Sequence, residues 1–172
     1  MKIPFNVKKT GSHNTIAAVM LLLFAVITFH NLHAADKEES IYDPAVNIKT
    51  AIKDSLVKAQ KENKHILLMF GGNWCPWCHR LHQLFKSDKA IKKFLEENYI
   101  LIMVDVGEKA TKPLNRDLVD FYRVKGFGYP SLAVIESNGR LICSQSTGVL
   151  EKGKGHDPER VLAFLQAQAP DK

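Results

Sequence analysis

Residues 65–70 (HILLMF) and 99–106 (YILIMVDV) are apolar almost without interruption, so each is expected to be a buried strand, the first of them central in its sheet. Around them the apolar positions recur every three or four residues instead. Ile48, Ile52, Leu56 and Ala59 predict a helix that opens at Asp43-Pro44 and ends near Asn63. Trp77, Leu81, Leu84 and Phe85 predict a second, starting at Pro76 and stopping around Ser87. Ser87-Asp88 then caps a third, whose apolar face of Ile91, Phe94 and Leu95 runs out at Asn98.

After a polar connection over 107–113, a short helix is expected at 115–124, with Leu118, Val119 and either Phe121 or Tyr122 turned to the sheet. Residues 131–136 and 141–146 flank an Asn138-Gly139 turn and predict a hairpin. A loop at 148–155 leads to a last helix opened by Asp157-Pro158, with Val161, Leu162 and Leu165 on its apolar side. This order predicts an α/β fold: a central mixed sheet, one parallel pair extended by an antiparallel hairpin, flanked by helices on both faces. No repeat interrupts it, and residues 35–172 are expected to form a single domain.

Composition changes the picture at the N-terminus. Lys2, Lys8 and Lys9 precede a mostly apolar run at 16–29, which ends in the small residues Ala34 and Ala35. That pattern predicts a signal peptide over residues 1–34, and the run falls short of the roughly 20 residues a bilayer span needs. The alternative is an uncleaved membrane anchor. Either way the rest of the chain is expected outside the cytoplasm, in the periplasm of a Gram-negative bacterium. The chain carries 24 Lys plus Arg against 18 Asp plus Glu, a net charge of +6, and three of those lysines lie in the leader. With the remaining charges mixed along the chain, nucleic acid is not an expected partner.

Only three cysteines occur, Cys75, Cys78 and Cys143, too few for a disulfide framework. Cys75 and Cys78 stand where a buried strand meets a helix, after a Gly71-Gly72 break and with Pro76 at the first helical position. Unpaired amides and the helix dipole stabilise a thiolate there, so Cys75 is expected to be the exposed nucleophile and Cys78, one turn inside, the resolving thiol. A purely structural disulfide is the alternative, although so small a loop restrains little. Trp74 and Trp77 could form an apolar rim for extended peptides or simply cover the core; Trp77 is expected to be exposed. Cys143 is expected to fill an apolar position in the hairpin.

His79 and His82 leave other chemistries open. Cys75-Pro76-Trp77-Cys78-His79 matches the C-x-x-C-H pattern of covalent haem attachment, but the preceding strand and the complete mixed sheet argue against haem. Cys75, Cys78, His79 and His82 could instead bind copper or zinc from one side of the helix. The plainer expectation is that the histidines are solvated and tune the thiolates, His79 more than His82.

Taken together, the strand before Trp74-Cys75-Pro76-Trp77-Cys78, the helix after it and the Gly128-Tyr129-Pro130-Ser131 segment ahead of the hairpin resemble the thioredoxin-like superfamily over about residues 65–165. The resemblance implies a thioredoxin-like fold in which Pro130 is a cis-proline beside the dithiol and Tyr129 contacts substrate. It also implies an exported thiol-disulfide oxidoreductase, reductase or isomerase-like, acting on protein disulfides. Such an enzyme would need no cofactor beyond the Cys75–Cys78 disulfide and would be recharged by a membrane-bound electron donor. With no dimerisation module in the sequence, a monomer is expected.

One departure stands out: Met69 occupies the position of the buried aspartate that reducing thioredoxins carry, and Met cannot take the resolving thiol's proton. Glu108 or His79 is a candidate substitute. A copper or zinc carrier and a non-catalytic peptide-binding module are the rival classes.

Overall fold

A computed structural model describes residues 40–108 and 111–171. The predicted leader lies outside the described residues. Helix α1 (Ile48–Glu62) leads into strand β1 (His65–Gly71); α2 (Pro76–Ser87), α3 (Lys89–Asn98) and β2 (Tyr99–Asp105) follow. Two short ladder segments, β3 (Gly107–Glu108) and β4 (Lys112–Pro113), precede α4 (Arg116–Phe121). The hairpin is β5 (Ser131–Ile135) and β6 (Leu141–Ser146). A 3-10 turn (Thr147–Leu150), the small ladder β7 (Glu151–Lys152) and β8 (Gly155–His156), and α5 (Pro158–Ala167) complete the chain.

The main sheet has the order β2-β1-β5-β6, with β1 parallel to β2 and antiparallel to β5, and β5 antiparallel to β6. β1 is therefore an inner strand, and its apolar run divides by alternation between two cores. Leu67 and Met69 join Leu81, Phe85, Ile91, Leu95, Val161 and Leu165 from α2, α3 and α5 on one face. Ile66, Leu68 and Phe70 meet Ile48, Ile52 and Ala59 of α1, with Leu118 and Tyr122, on the other. Tyr122, not Phe121, turns inward: it is 5% exposed against 69% for its neighbour.

Several boundaries depart from expectation: α4 stops at Phe121 instead of 124, and the loop expected at 148–155 carries the 3-10 turn and the β7–β8 ladder. α1 starts at Ile48, capped by the Asn47 side chain on the Thr50 amide, while Asp43-Pro44 forms a separate turn in which the Asp43 carboxylate accepts from the Ala45 amide. Asp-Pro fits a turn as well as a helix start, and here the Val46 amide closes a turn on the Asp43 carbonyl at 3.2 Å, which leaves Asn47 as the cap. The connection after β2 is also more ordered than its polarity suggests, because β3 and β4 pair across it. The other helix caps fall as read: Asp88 accepts the Ala90 and Ile91 amides, and Asp157 accepts that of Glu159.

Candidate active site

β1 delivers its C-terminal end to a tight turn. The Cys75 amide donates to the Gly72 carbonyl at 3.0 Å, and Cys75 becomes the N-cap of α2, with Pro76 on its first turn. Cys75 and Cys78 form a disulfide with Cα atoms 5.2 Å apart. The Cys78 amide is shared between the Cys75 carbonyl at 3.0 Å and Cys75 Sγ at 3.2 Å, so the nucleophile candidate faces a donor of the first helical turn.

The expectation of an exposed Cys75 is corrected: it is 3% exposed and Cys78 is fully buried. Trp74, Trp77 and Tyr129 pack against the core cluster that contains both cysteines. Both cysteines are thus covered in the disulfide form. Trp77 is likewise not freely exposed: its ring meets His156 edge-on at 5.4 Å, and the Arg80 guanidinium lies 4.8 Å from its centroid. Pro76 is exposed.

Trp74 is fixed from two sides. Its indole nitrogen donates to the Gly107 carbonyl at 2.7 Å, and its ring stands edge-on to Tyr129 at 6.0 Å. It also borders a groove of about 590 Å³ shared with Asn73, Asp105, Glu108 and Lys112. The Tyr129–Pro130 peptide bond is cis. Ser131 pairs with Phe70, so Pro130 sits beside the end of β1 from which the dithiol turn springs. The Pro130 carbonyl is held by the Thr147 hydroxyl at 2.7 Å.

His79 Nε2 lies 2.9 Å from the Asn73 carbonyl oxygen, which can only accept, so that nitrogen carries the proton. Among the described residues no group of three or more His, Cys, Asp or Glu side chains comes together to hold a metal, so Cys75, Cys78, His79 and His82 are not gathered into a ligand set. His82 lies instead in a groove with Phe85, Lys86 and Tyr99. Cys143 is half-buried and free, its thiol pKa pushed up by burial.

Four residues near the dithiol escaped the sequence reading. Asn73 clamps residues 41 and 42; Tyr42 is buried beneath the turn; the buried carboxylate nearby is Asp105, whereas Glu108 is exposed and bound by the Thr111 hydroxyl at 2.7 Å. The fourth, His156, is 8% exposed against Trp77, and burial, then the Arg80 charge, lower its pKa from 6.5 to about 4. An Asn after two glycines was the one local signal of a turn clamp. The other three reach the site from distant segments.

Residues 52–154 match the model of the thioredoxin-like domain family. The chain belongs to that family. Among solved structures, the disulphide isomerase of Xylella fastidiosa Temecula1 superposes with a TM-score of 0.65 at 22% identity, covering 75% of this chain and 96% of that one, a likeness of fold. Chlamydia pneumoniae disulfide bond reductase DsbH is 28% identical over 95 residues, 52% of this chain and 56% of its own length. Mouse spermatogenesis-associated protein 20 is 39% identical over 57 residues, 33% of this chain but 7% of that protein. The matched stretches thus span less than two thirds of either curated relative. What this family member has at its centre is a disulfide at CxxC spacing on a helix N-cap.

Proposed function

We propose that the chain is a thiol-disulfide oxidoreductase acting on protein disulfides through Cys75 and Cys78. The observation that carries this is the Cys75–Cys78 disulfide at the N-cap of α2, with the Cys78 amide directed at Cys75 Sγ. In the reduced protein, Cys75 thiolate attacks one sulfur of a substrate disulfide; that S–S bond breaks and the other substrate sulfur leaves as thiolate. Cys78, deprotonated, then attacks Cys75 Sγ in the mixed disulfide. The second substrate sulfur departs, and the two electrons gained by the substrate are matched by formation of the Cys75–Cys78 bond.

Trp74, Trp77, Pro76 and Tyr129, partly or fully exposed, border the dithiol and offer an apolar surface to an extended peptide, with the buried Pro130 beneath them. His79 steadies the turn through its bond to the Asn73 carbonyl. The names of the Chlamydia and Xylella proteins, a disulfide reductase and a disulphide isomerase, favour reduction or isomerisation. With the leader read from residues 1–34, the proposal places the domain in the periplasm, working as a monomer and recharged by a membrane-bound electron donor. No helix among the described residues is long and apolar enough to cross a membrane.

Insulin reduction by the purified chain with dithiothreitol tests the activity. It should be lost in Cys75→Ser, and Cys78→Ala should accumulate a mixed disulfide that Cys75→Ser does not. The pKa of Cys75 in the reduced protein should lie below the unperturbed value of about 8.5. Wild-type protein that neither reduces insulin nor exchanges with glutathione would overturn the proposal.

A further inference from the structure

Gly71 closes β1 directly behind the dithiol, and the space its missing side chain leaves is shared by two other groups. A Cβ built on Gly71 would fall 2.5 Å from Cys78 Sγ and 2.5 Å from the Tyr42 hydroxyl oxygen. Sulfur and hydroxyl are therefore neighbours, no farther apart than twice that distance. The Tyr42 side chain is 1% exposed, and its hydroxyl has no hydrogen-bond partner among the described residues. Burying a hydroxyl without a partner costs free energy, so a native protein that keeps one invites an explanation.

That explanation follows from the state of the sulfur. In the disulfide, Cys78 Sγ is neutral and a weak acceptor. Once the bond opens, the same atom can carry negative charge, and hydrogen bonds to ionised acceptors are about twice as strong as neutral ones. We propose that Tyr42 is the hydrogen-bond donor that receives Cys78 when the Cys75–Cys78 disulfide opens, so that its hydroxyl is unpartnered in the oxidised protein and satisfied in the reduced one.

Three further observations agree. Burial, and then the negative charge of Asp105, hold the Tyr42 phenol well above the usual tyrosine range, so it keeps its proton and has a hydrogen to donate. Met69, buried on the same face of the sheet as the cysteines, brings no acid or base of its own. The segment that carries Tyr42 is fixed by Asn73, which takes the Ile41 and Tyr42 amides on its Oδ1 at 2.9 and 3.0 Å and donates through Nδ2 to the Tyr42 carbonyl at 2.8 Å. The phenol is thus anchored to the turn that bears the dithiol.

The consequence is a bias toward reduction. When glutathione opens the disulfide, two glutathione thiols become one glutathione disulfide, the two protein sulfurs receive the electron pair, and of the two protons released by glutathione one goes to solvent for each protein sulfur that stays a thiolate. Tyr42 keeps its proton and lends only a hydrogen bond. Tyr42→Phe keeps the ring and removes the hydroxyl; it relieves the oxidised form of an unpartnered group and deprives the reduced form of a bond. Both effects favour the disulfide.

The inference rests on the redox-active reading above only in requiring that thiols open the bond. The experiment is the equilibrium of the full chain with reduced and oxidised glutathione, for wild type and Tyr42→Phe, read by thiol trapping and mass. We expect about a tenfold shift toward the disulfide in the variant, a thermal midpoint of its oxidised form no lower than wild type, and a raised Cys78 pKa in its reduced form. In the wild type, the ring-carbon resonance bearing the Tyr42 hydroxyl should move between the oxidised and reduced proteins, a signal that does not depend on any variant folding. An equilibrium within twofold of wild type in a folded variant, or a resonance indifferent to redox state, overturns the role of Tyr42. Failure to reduce insulin would leave this equilibrium readable, whereas a disulfide that no thiol opens would overturn both readings.

Discussion

Asn73 grips Tyr42 with both ends of its amide: Oδ1 accepts the Tyr42 N–H at 3.0 Å while Nδ2 donates to the Tyr42 carbonyl at 2.8 Å. A side chain in the dithiol turn thereby substitutes for a strand partner and draws the segment that carries Tyr42 across the site. The third bond, from the Ile41 amide, extends the clamp by one residue.

Asn73→Ala should release that segment. Three hydrogen bonds go, partly to water, so the expected loss is about 1–3 kcal/mol, read as a lower urea midpoint. Because Tyr42 follows its backbone, amide exchange at residues 41 and 42 should quicken in the same variant. Exchange as slow as in wild type would show that packing of the Tyr42 ring alone holds the segment.

Gly71→Ala tests the crowding behind Cys78. The added methyl would collide with Cys78 Sγ and the Tyr42 hydroxyl, both belonging to buried side chains with little room to retreat. Overpacking of this kind costs about 1–3 kcal/mol, so the oxidised variant should unfold at lower urea than wild type. An unchanged midpoint would mean that the turn relaxes readily, and would weaken the claim that sulfur and phenol are held as neighbours.

His156 predicts a pH effect with a definite sign. Its folded pKa is lowered from 6.5 to about 4, by burial first and the Arg80 charge second. Between those values the unfolded chain binds a proton that the folded chain refuses, so this contribution to stability is complete above 6.5 and is lost as pH falls toward 4. His156→Phe keeps an aromatic ring against Trp77 without the titration. Its thermal midpoint should fall less than the wild type's between pH 7 and pH 4.5, against a common background from titrating carboxylates. Equal falls would place the histidine's proton affinity near its ordinary value.

Much of this protein is written locally. The unbroken apolar run at 65–70 declared an inner strand because both its faces meet helices, and Pro76, Asp88 and Asp157 announced helix starts through capping that involves only their near neighbours. Asp43-Pro44 carried the same kind of signal and misled, since it forms a turn closed by the Val46 amide and the helix starts at Ile48 under the Asn47 cap. Cys75 was expected to be exposed because a helix N-cap faces outward in isolation. Packing of Trp74, Trp77 and Tyr129 on the cysteine cluster leaves it 3% exposed.

By itself, then, the sequence determined the order of elements, the two-sided sheet and the placement of a dithiol at a strand-to-helix junction, because periodicity, caps and a CxxC spacing act over a few residues. Only the tertiary structure decided what surrounds the two sulfurs. Tyr42 lies ahead of α1, Asp105 ends the neighbouring strand, and His156 comes from the last ladder. No local pattern marks them, since what brings them to the dithiol is sheet register and the closing of loops between distant segments.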